Sequence, residues 1–304
     1  VFEFDAAAVS RTGPRPDNQD SALAGSRLIA VADGVGGNVG GAVASSLVAS
    51  WLAPLGCGVG GLGGPDALAR LVRRANARIT AGCAVRPALR GMATTLVALT
   101  ADETGVSLAH IGDSRGYLLR DGVLTQVTKD HSLVQALVDA GRLAPEDVST
   151  HPQRSVVYAA LHGGHDDTDG LDVSVLDVRG GDRLMVCSDG LSDVVPAAHL
   201  AAALVSAGSP EDACHSLLRA ALDAPAHDNI TIVVADVVEV PGAPGIRRPD
   251  PVLALETAPL DLSSLTTDTA PFAGPSTTRA TVRTYGAAAS AREDVTQVLE
   301  TLWP

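Results

Sequence analysis

Three apolar runs in this chain stop on an aspartate that is followed by a small residue. Residues 28–32 (LIAVA) lead into Asp33-Gly34, 108–112 (LAHIG) into Asp113-Ser114, and 184–188 (LMVCS) into Asp189-Gly190. A fourth aspartate, Asp228, stands with Asn229 at the head of the run that begins at Ile230. A carboxylate at the lip of a buried strand is poorly solvated unless something positive compensates it. Four of them gathered at one sheet edge would repel one another, and a hard divalent cation with oxygen ligands resolves that repulsion. Any single Asp-Gly pair is also an ordinary turn. The same pattern repeated at four strand ends is what points to a metal. Carboxylate-rich sites suit Mg²⁺ or Mn²⁺, whereas zinc would call for His or Cys ligands. Paired ions roughly 3.5–4 Å apart serve phosphoester hydrolysis by activating water and clamping the phosphoryl group. Arg15 lies five residues before Asp20 in a polar loop (RPDNQD). Its planar fork suits phosphate oxygens, although taken alone it reads equally as an exposed loop charge.

The elements that must position these residues follow from the apolar pattern. Short β-rich runs predict strands over 28–32, 95–99, 106–111, 116–120, 172–178, 183–187 and 230–238. Ala/Leu-rich stretches predict helices over 43–52, 66–81, 132–140, 196–206 and 210–222. Asp121-Gly122 between two β-like runs is a hairpin signal, which argues for antiparallel pairing and against a doubly wound parallel sheet. The glycine-rich stretch 56–64 reads as a loop between helices, and no strand runs into it to make a phosphate loop.

With 304 residues, 46 % of them hydrophobic, the chain can build a core without a disulfide or metal staple. A metal here is therefore expected to work and not to hold the fold. The net charge of −13 argues against nucleic acid or an anionic membrane as the main partner. Five arginines against seven acids leave residues 241–304 at −2, so the first 240 residues carry −11. Cys57, Cys83, Cys187 and Cys214 are far apart, which fits reduced thiols in a cytoplasmic protein. The first residues lack an apolar h-region, so no signal peptide is expected. No run approaches the ~18–20 apolar residues of a membrane span.

Beyond Val240 the character changes. Seven prolines and many Thr/Ser residues before Ser276 read as a disordered linker over 241–284. In 285–304, Val295, Val298, Leu299, Leu302 and Trp303 follow the spacing of a short amphipathic helix, with Ser290 and Glu293 at capping-box separation. The apolar stripe of that helix is expected to bury against this protein's own domain or a partner's groove.

Six segments, in order, resemble the metal-dependent protein phosphatase (PPM, or type 2C) family. They are Arg15-Pro-Asp-Asn-Gln-Asp20-Ser, Asp33-Gly-Val-Gly-Gly37, Gly91-Met-Ala-Thr-Thr95, Gly112-Asp-Ser-Arg115-Gly-Tyr117, Ser188-Asp-Gly-Leu-Ser-Asp193 and Asp228-Asn-Ile-Thr231. Each alone is weak, and six in order are very specific. The stretch from His110 to Asp130, with His151-Pro-Gln-Arg-Ser155, is particularly similar to actinobacterial phosphatases that oppose Ser/Thr kinases. Those usually carry a transmembrane segment after the linker, and none is expected here.

The resemblance covers residues 1–240, the expected phosphatase domain. It implies an α+β fold: a four-layer α-β-β-α sandwich of two mainly antiparallel sheets, with the metals at one end between them. Asp33 would bridge two Mn²⁺ or Mg²⁺ ions, Gly34 would contribute its carbonyl oxygen, and Asp189 and Asp228 would complete the first ion. Asp113 with Asp189 would hold a third, weaker ion, with Ser155 on a flap nearby. Arg15 would grip the substrate phosphate, while Gln19, Asp20 and Asn229 would act from behind the ligands. Water activated by the metals would then hydrolyse phosphoserine and phosphothreonine in proteins, with Ser/Thr kinases and their substrates as partners. The motif serines and threonines would orient ligands and not act as nucleophiles.

Three departures from the family pattern stand out. Gln19 replaces a common Glu, Ala93 a common Gly, and Val35 a His that many eukaryotic members carry. The last leaves the leaving-group proton to a metal-bound water or to a histidine that the motifs do not identify. A catalytically dead binding protein on the same fold would be expected to lack Asp33, Asp189 or Asp228, and all three are present. A nucleotide-binding reading of 33–41 fails because the segment has no GK[ST] ending. His162 and His165 read as a solvated flap end and not as ligands.

Overall fold

The computed structural model describes residues 1–35, 39–56, 63–103, 105–240, 266–267 and 283–286. Fourteen strands and six α-helices are found among them. The strands are β1 (Phe2–Arg11), β2 (Ser21–Ala24), β3 (Leu28–Ala32), β4 (Gly34–Val35), β5 (Ala93–Thr94), β6 (Leu96–Asp102) and β7 (Gly105–Ile111), then β8 (Arg115–Arg120), β9 (Val123–Gln126), β10 (Asp172–Leu176), β11 (Arg183–Cys187), β12 (Ile230–Glu239), β13 (Thr266–Thr267) and β14 (Arg283–Gly286). The helices are α1 (Val39–Gly56), α2 (Gly64–Val85), α3 (Leu133–Asp139), α4 (Asp189–Ser192), α5 (Ala197–Ser206) and α6 (Pro210–Asp223).

One large sheet has the order β1-β12-β11-β8-β9 and the other β10-β7-β6-β3-β2-β14-β13, while β4 and β5 form a two-stranded ribbon. All pairs are antiparallel except β13 with β14. The hairpin expected at Asp121-Gly122 joins β8 to β9, with both residues at positive φ (51° and 78°), the backbone of a type I′ turn.

Three apolar clusters build the layers. Val31, Val97, Leu99, Leu184, Val186 and Val233 meet between the two sheets. Helices α1 and α2 cover the outer face of the second sheet through Leu47, Leu52, Leu68 and Ile79. Helices α4, α5 and α6 cover the first through Leu191, Leu200, Leu204 and Leu217. This is the expected α-β-β-α sandwich. Strands buried on both faces read as continuous apolar runs, which is why β3, β6, β7, β11 and β12 are plain in the sequence. Helix α6 starts where Ser209 accepts from the Asp212 N–H, with Pro210 in its first turn.

Two features depart from the sequence reading. Strands β1 and β2 were not expected. And four residues assigned to the disordered linker are strand residues: Thr266 and Thr267 pair with Arg283 and Thr284, which with Tyr285 and Gly286 pair to β2 (Arg283↔Ala24, Thr284↔Leu23, Tyr285↔Ala22, Gly286↔Ser21). The physical reason is that β2 would otherwise be a sheet edge with unpaired backbone groups. The helix expected near 290–303 and the loop over 57–62 lie outside the described residues. Cys187 and Cys214 are buried free thiols and Cys83 is a half-buried one. No helix among the described residues is long and apolar enough to cross a membrane.

Candidate active site

The sandwich brings the strand-ending aspartates to one end. Asp33 follows β3 and Asp113 follows the β7 end, both from the second sheet. Asp189 follows β11 as the first residue of α4, and Asp228 stands two residues ahead of β12, both from the first sheet. Because β11 and β12 are neighbours, and β3 and β7 flank β6, the four carboxylates face one another across the gap between the sheets. They line a cleft of about 360 Å³ with Arg15, Gln19, Gly34, Ser155 and Asn229. Asp20 lies beneath it, fully buried. All ten residues singled out from the sequence thus gather at one place.

The acids are held by backbone and hydroxyl groups. The Asp33 N–H donates to Thr95 Oγ1 at 3.0 Å, and Thr94 Oγ1 donates to the Asp33 carbonyl at 2.9 Å. Thr95 Oγ1 lies 2.8 Å from Ser114 Oγ, joining the Asp33 strand end to the Asp113 turn. Beneath, Ser188 Oγ donates to Asp20 Oδ2 at 2.9 Å, and the Thr231 N–H donates to Ser188 Oγ at 3.1 Å. Asn229 works as a clasp on the Arg15 loop. Its Nδ2 donates to the carbonyls of Thr12 and Asp17, and its Oδ1 accepts from the Gln19 N–H at 2.8 Å. At Gly34 the backbone passes so close to Gly41 that a Cβ would collide with the Gly41 carbonyl and sit 2.7 Å from the Gln19 oxygen. Only glycine fits there.

Negative charge dominates. Burial, then the charges of Asp20, Asp189 and Asp113, hold Asp33 well above the usual carboxylate range. Burial, then Asp113 and Asp193, do the same to Asp189. Burial with the charges of Asp130 and Asp193 lifts Asp113 to about 7, and burial lifts Asp20 to about 6. Asp189 Oδ1 is buried with no hydrogen-bond partner among the described residues. Against this, Arg15 donates through Nη2 to Asp228 Oδ2 at 2.8 Å and through Nε to the His227 carbonyl at 2.9 Å. Carboxylates that resist ionising together, an unpartnered buried oxygen and an all-oxygen donor set fit hard divalent cations.

The flap that carries Ser155 is tied to the site at its ends. The Leu161 and Thr94 backbones exchange hydrogen bonds at 2.9 Å, and the Tyr158 N–H donates to the His131 carbonyl at 2.9 Å. His131 grips the turn before Asp113 twice. Its N–H donates to the Gly112 carbonyl at 2.7 Å, and the Gly112 N–H donates to its Nδ1 at 3.2 Å. On its other side Nε2 lies 3.1 Å from Asp172 Oδ2. Sequence reasoning did not single out His131, nor Asp193, nor the buried ion pair in which Arg115 bonds both oxygens of Asp130. Arg115 and Asp193 stand inside matched motifs, which was the available signal. His162 pairs with Asp167 and His165 with Asp166, away from the cleft.

The structure is the two-sheet sandwich that the sequence resemblance implied, with a carboxylate cluster and an arginine at one end. The chain belongs to the protein phosphatase 2C family, whose model matches residues 10–223. It is 47 % identical over 237 residues to the serine/threonine protein phosphatase PstP of Mycobacterium tuberculosis, a match covering 77 % of this chain and 45 % of that protein. The chain thus spans less than half the length of this relative. It is 32 % identical over 213 residues to the serine/threonine phosphatase stp of Listeria monocytogenes, covering 69 % of this chain and 84 % of that one. The crystal structure of the PstP catalytic domain in complex with two manganese ions superposes with a TM-score of 0.72 at 42 % identity, over 79 % of this chain and all of that one.

Proposed function

We propose that residues 1–240 form a metal-dependent protein serine/threonine phosphatase domain that hydrolyses phosphoserine and phosphothreonine in proteins. The observation that carries the reading is the convergence of Asp33, Asp113, Asp189 and Asp228 on one cleft, two of them held far above the usual carboxylate range by burial and mutual repulsion. The two manganese ions of the PstP catalytic domain support it.

Asp33 would hold two Mn²⁺ or Mg²⁺ ions with the Gly34 carbonyl, Asp189 and Asp228. Asp113 and Asp189 would hold a third, weaker one beside Ser155. Bound there, the ions would supply an activated water and neutralise charge on the transferring phosphoryl group. Arg15 orients the phosphate, its guanidinium half exposed at the cleft mouth and steadied by the His227 carbonyl. Asp20 and Ser188 hold the cleft floor under Asp33, and Thr94, Thr95 and Ser114 fix the two strand ends. Gln19, at the cleft wall, shapes the pocket without adding charge. The substrates would be proteins phosphorylated by Ser/Thr kinases in the cytoplasm, so that the domain reverses kinase signalling.

Phosphate release from phosphothreonine and phosphotyrosine peptides of one sequence tests the substrate class. Strong preference for the phosphothreonine peptide with Mn²⁺ or Mg²⁺ is expected. Equal or better turnover of the phosphotyrosine peptide overturns the assignment to serine and threonine.

A further inference from the structure

Strand β2 is four residues long, Ser-Ala-Leu-Ala, and every one of them is buried. On one side it pairs with β3. Its other side faces outward in the sheet order, and there the chain places its own residues Arg283–Gly286, about forty residues after β12 ends at Glu239. Natural sheet edges are blunted by charges, prolines or bulges. The β2 sequence has no charge and no proline, so it is an edge built to be covered.

The covering strand fits closely. Thr284 is 3 % exposed, and Tyr285 packs on the apolar cluster between the sheets, the cluster to which Ala22, Ala24 and Phe4 belong. Gly286 has φ +70°, and a Cβ there would collide with the carbonyl oxygen of Asp20 and lie 2.9 Å from Ser10 Oγ. That backbone conformation and that closeness both require glycine. The end of β14 therefore rests on Asp20, the buried acid of the cleft floor.

We infer that the outer edge of β2 is a strand-addition site whose occupant is residues 283–286 of this chain, and that seating this strand holds β2 and the backbone of Asp20 in place. Residues 283–286 are then added to the fold that residues 1–240 build. The inference concerns sheet integrity and stands whether or not the phosphatase reading holds.

Hydrogen–deuterium exchange at the amides of residues 21–24 in the full chain tests it. Two variants are compared with the unaltered protein: Gly286→Val, which forces a β-branched residue into the left-handed region, and Tyr285→Ala, which removes the anchor. Both are expected to speed exchange at 21–24 by about tenfold or more, and to leave the amides of β11 unchanged. A synthetic peptide of residues 279–290 added to the Gly286→Val protein is expected to restore slow exchange. The same peptide carrying the Gly286→Val change is not. If the Gly286→Val protein fails to fold, the Tyr285→Ala protein decides. Protection of 21–24 equal to the unaltered protein in the variants that fold, or rescue by the altered peptide as well, overturns the inference.

Discussion

Arg15 and Asp228 form an ion pair 2.8 Å long, so the guanidinium proposed to hold phosphate is already engaged with a carboxylate proposed to hold metal. The pair is half exposed on both sides, which limits its own worth to a surface bridge. An ion held by Asp228 would compete for the same carboxylate and would leave the arginine fork to the substrate. Arg15→Ala is therefore expected to weaken substrate binding by about 1.5–3 kcal/mol, the scale of a charge-assisted contact. Steady-state kinetics on a phosphothreonine peptide would show this chiefly in KM. Arg15→Lys, which keeps charge but not the fork, should recover only part of it.

Asp33→Asn, Asp189→Asn and Asp228→Asn should each cost at least ~100-fold in turnover, because each would remove a proposed ligand of ions that would supply both nucleophile and charge stabilisation. Circular dichroism is expected to stay unchanged. Asp113→Ala should lower turnover while calorimetry still finds two tighter ions. Loss of all metal binding in Asp113→Ala would contradict its assignment to the third.

His131 bonds to Gly112 through both its backbone and its ring, and its carbonyl holds the flap at Tyr158. His131→Ala removes the ring contacts with Gly112 and Asp172. It should reduce turnover by about tenfold through the Asp113 turn and the flap, with the two tighter ions still bound. Unchanged turnover would mean that the turn holds without it.

The carboxylate cluster also sets a pH dependence for the metal-stripped protein. Raised acids hold protons in the folded state that the unfolded chain has released, so their contribution is full below an ordinary carboxylate value of 3.8. It is lost as pH rises through about 6 for Asp20 and about 7 for Asp113, and burial raises Asp33 and Asp189 in the same direction. The thermal midpoint in chelator is expected to fall between about pH 5 and about pH 8, and Mn²⁺ to reverse the fall. Asp33→Asn should raise the midpoint of the stripped protein near pH 8 while removing activity. A lower midpoint for Asp33→Asn would contradict the repulsion argument.

What was legible in the sequence was what the core writes plainly. β3, β7 and β11 are continuous apolar runs, and the aspartates that end them stood out because the runs stop there. β1 was not legible, since FEFDAAAVSR carries three alanines in a row at its centre and is half-buried, with no clean alternation. β14 was hidden for another reason. Four residues in a Pro/Thr/Ser-rich stretch carry no periodic signal, and their partner β2 lies near the other end of the chain. The Arg15–Asp228 pair and the Asn229 clasp join residues more than two hundred positions apart, so only the fold reveals them.

The claim that the four strand-end carboxylates work by holding divalent ions is tested most directly by phosphate release from a phosphothreonine peptide. The protein is first stripped of metal, then assayed in excess chelator and again with Mn²⁺ restored. No release in chelator and full recovery with Mn²⁺ is the predicted result. Full turnover by the stripped protein in chelator would contradict the account.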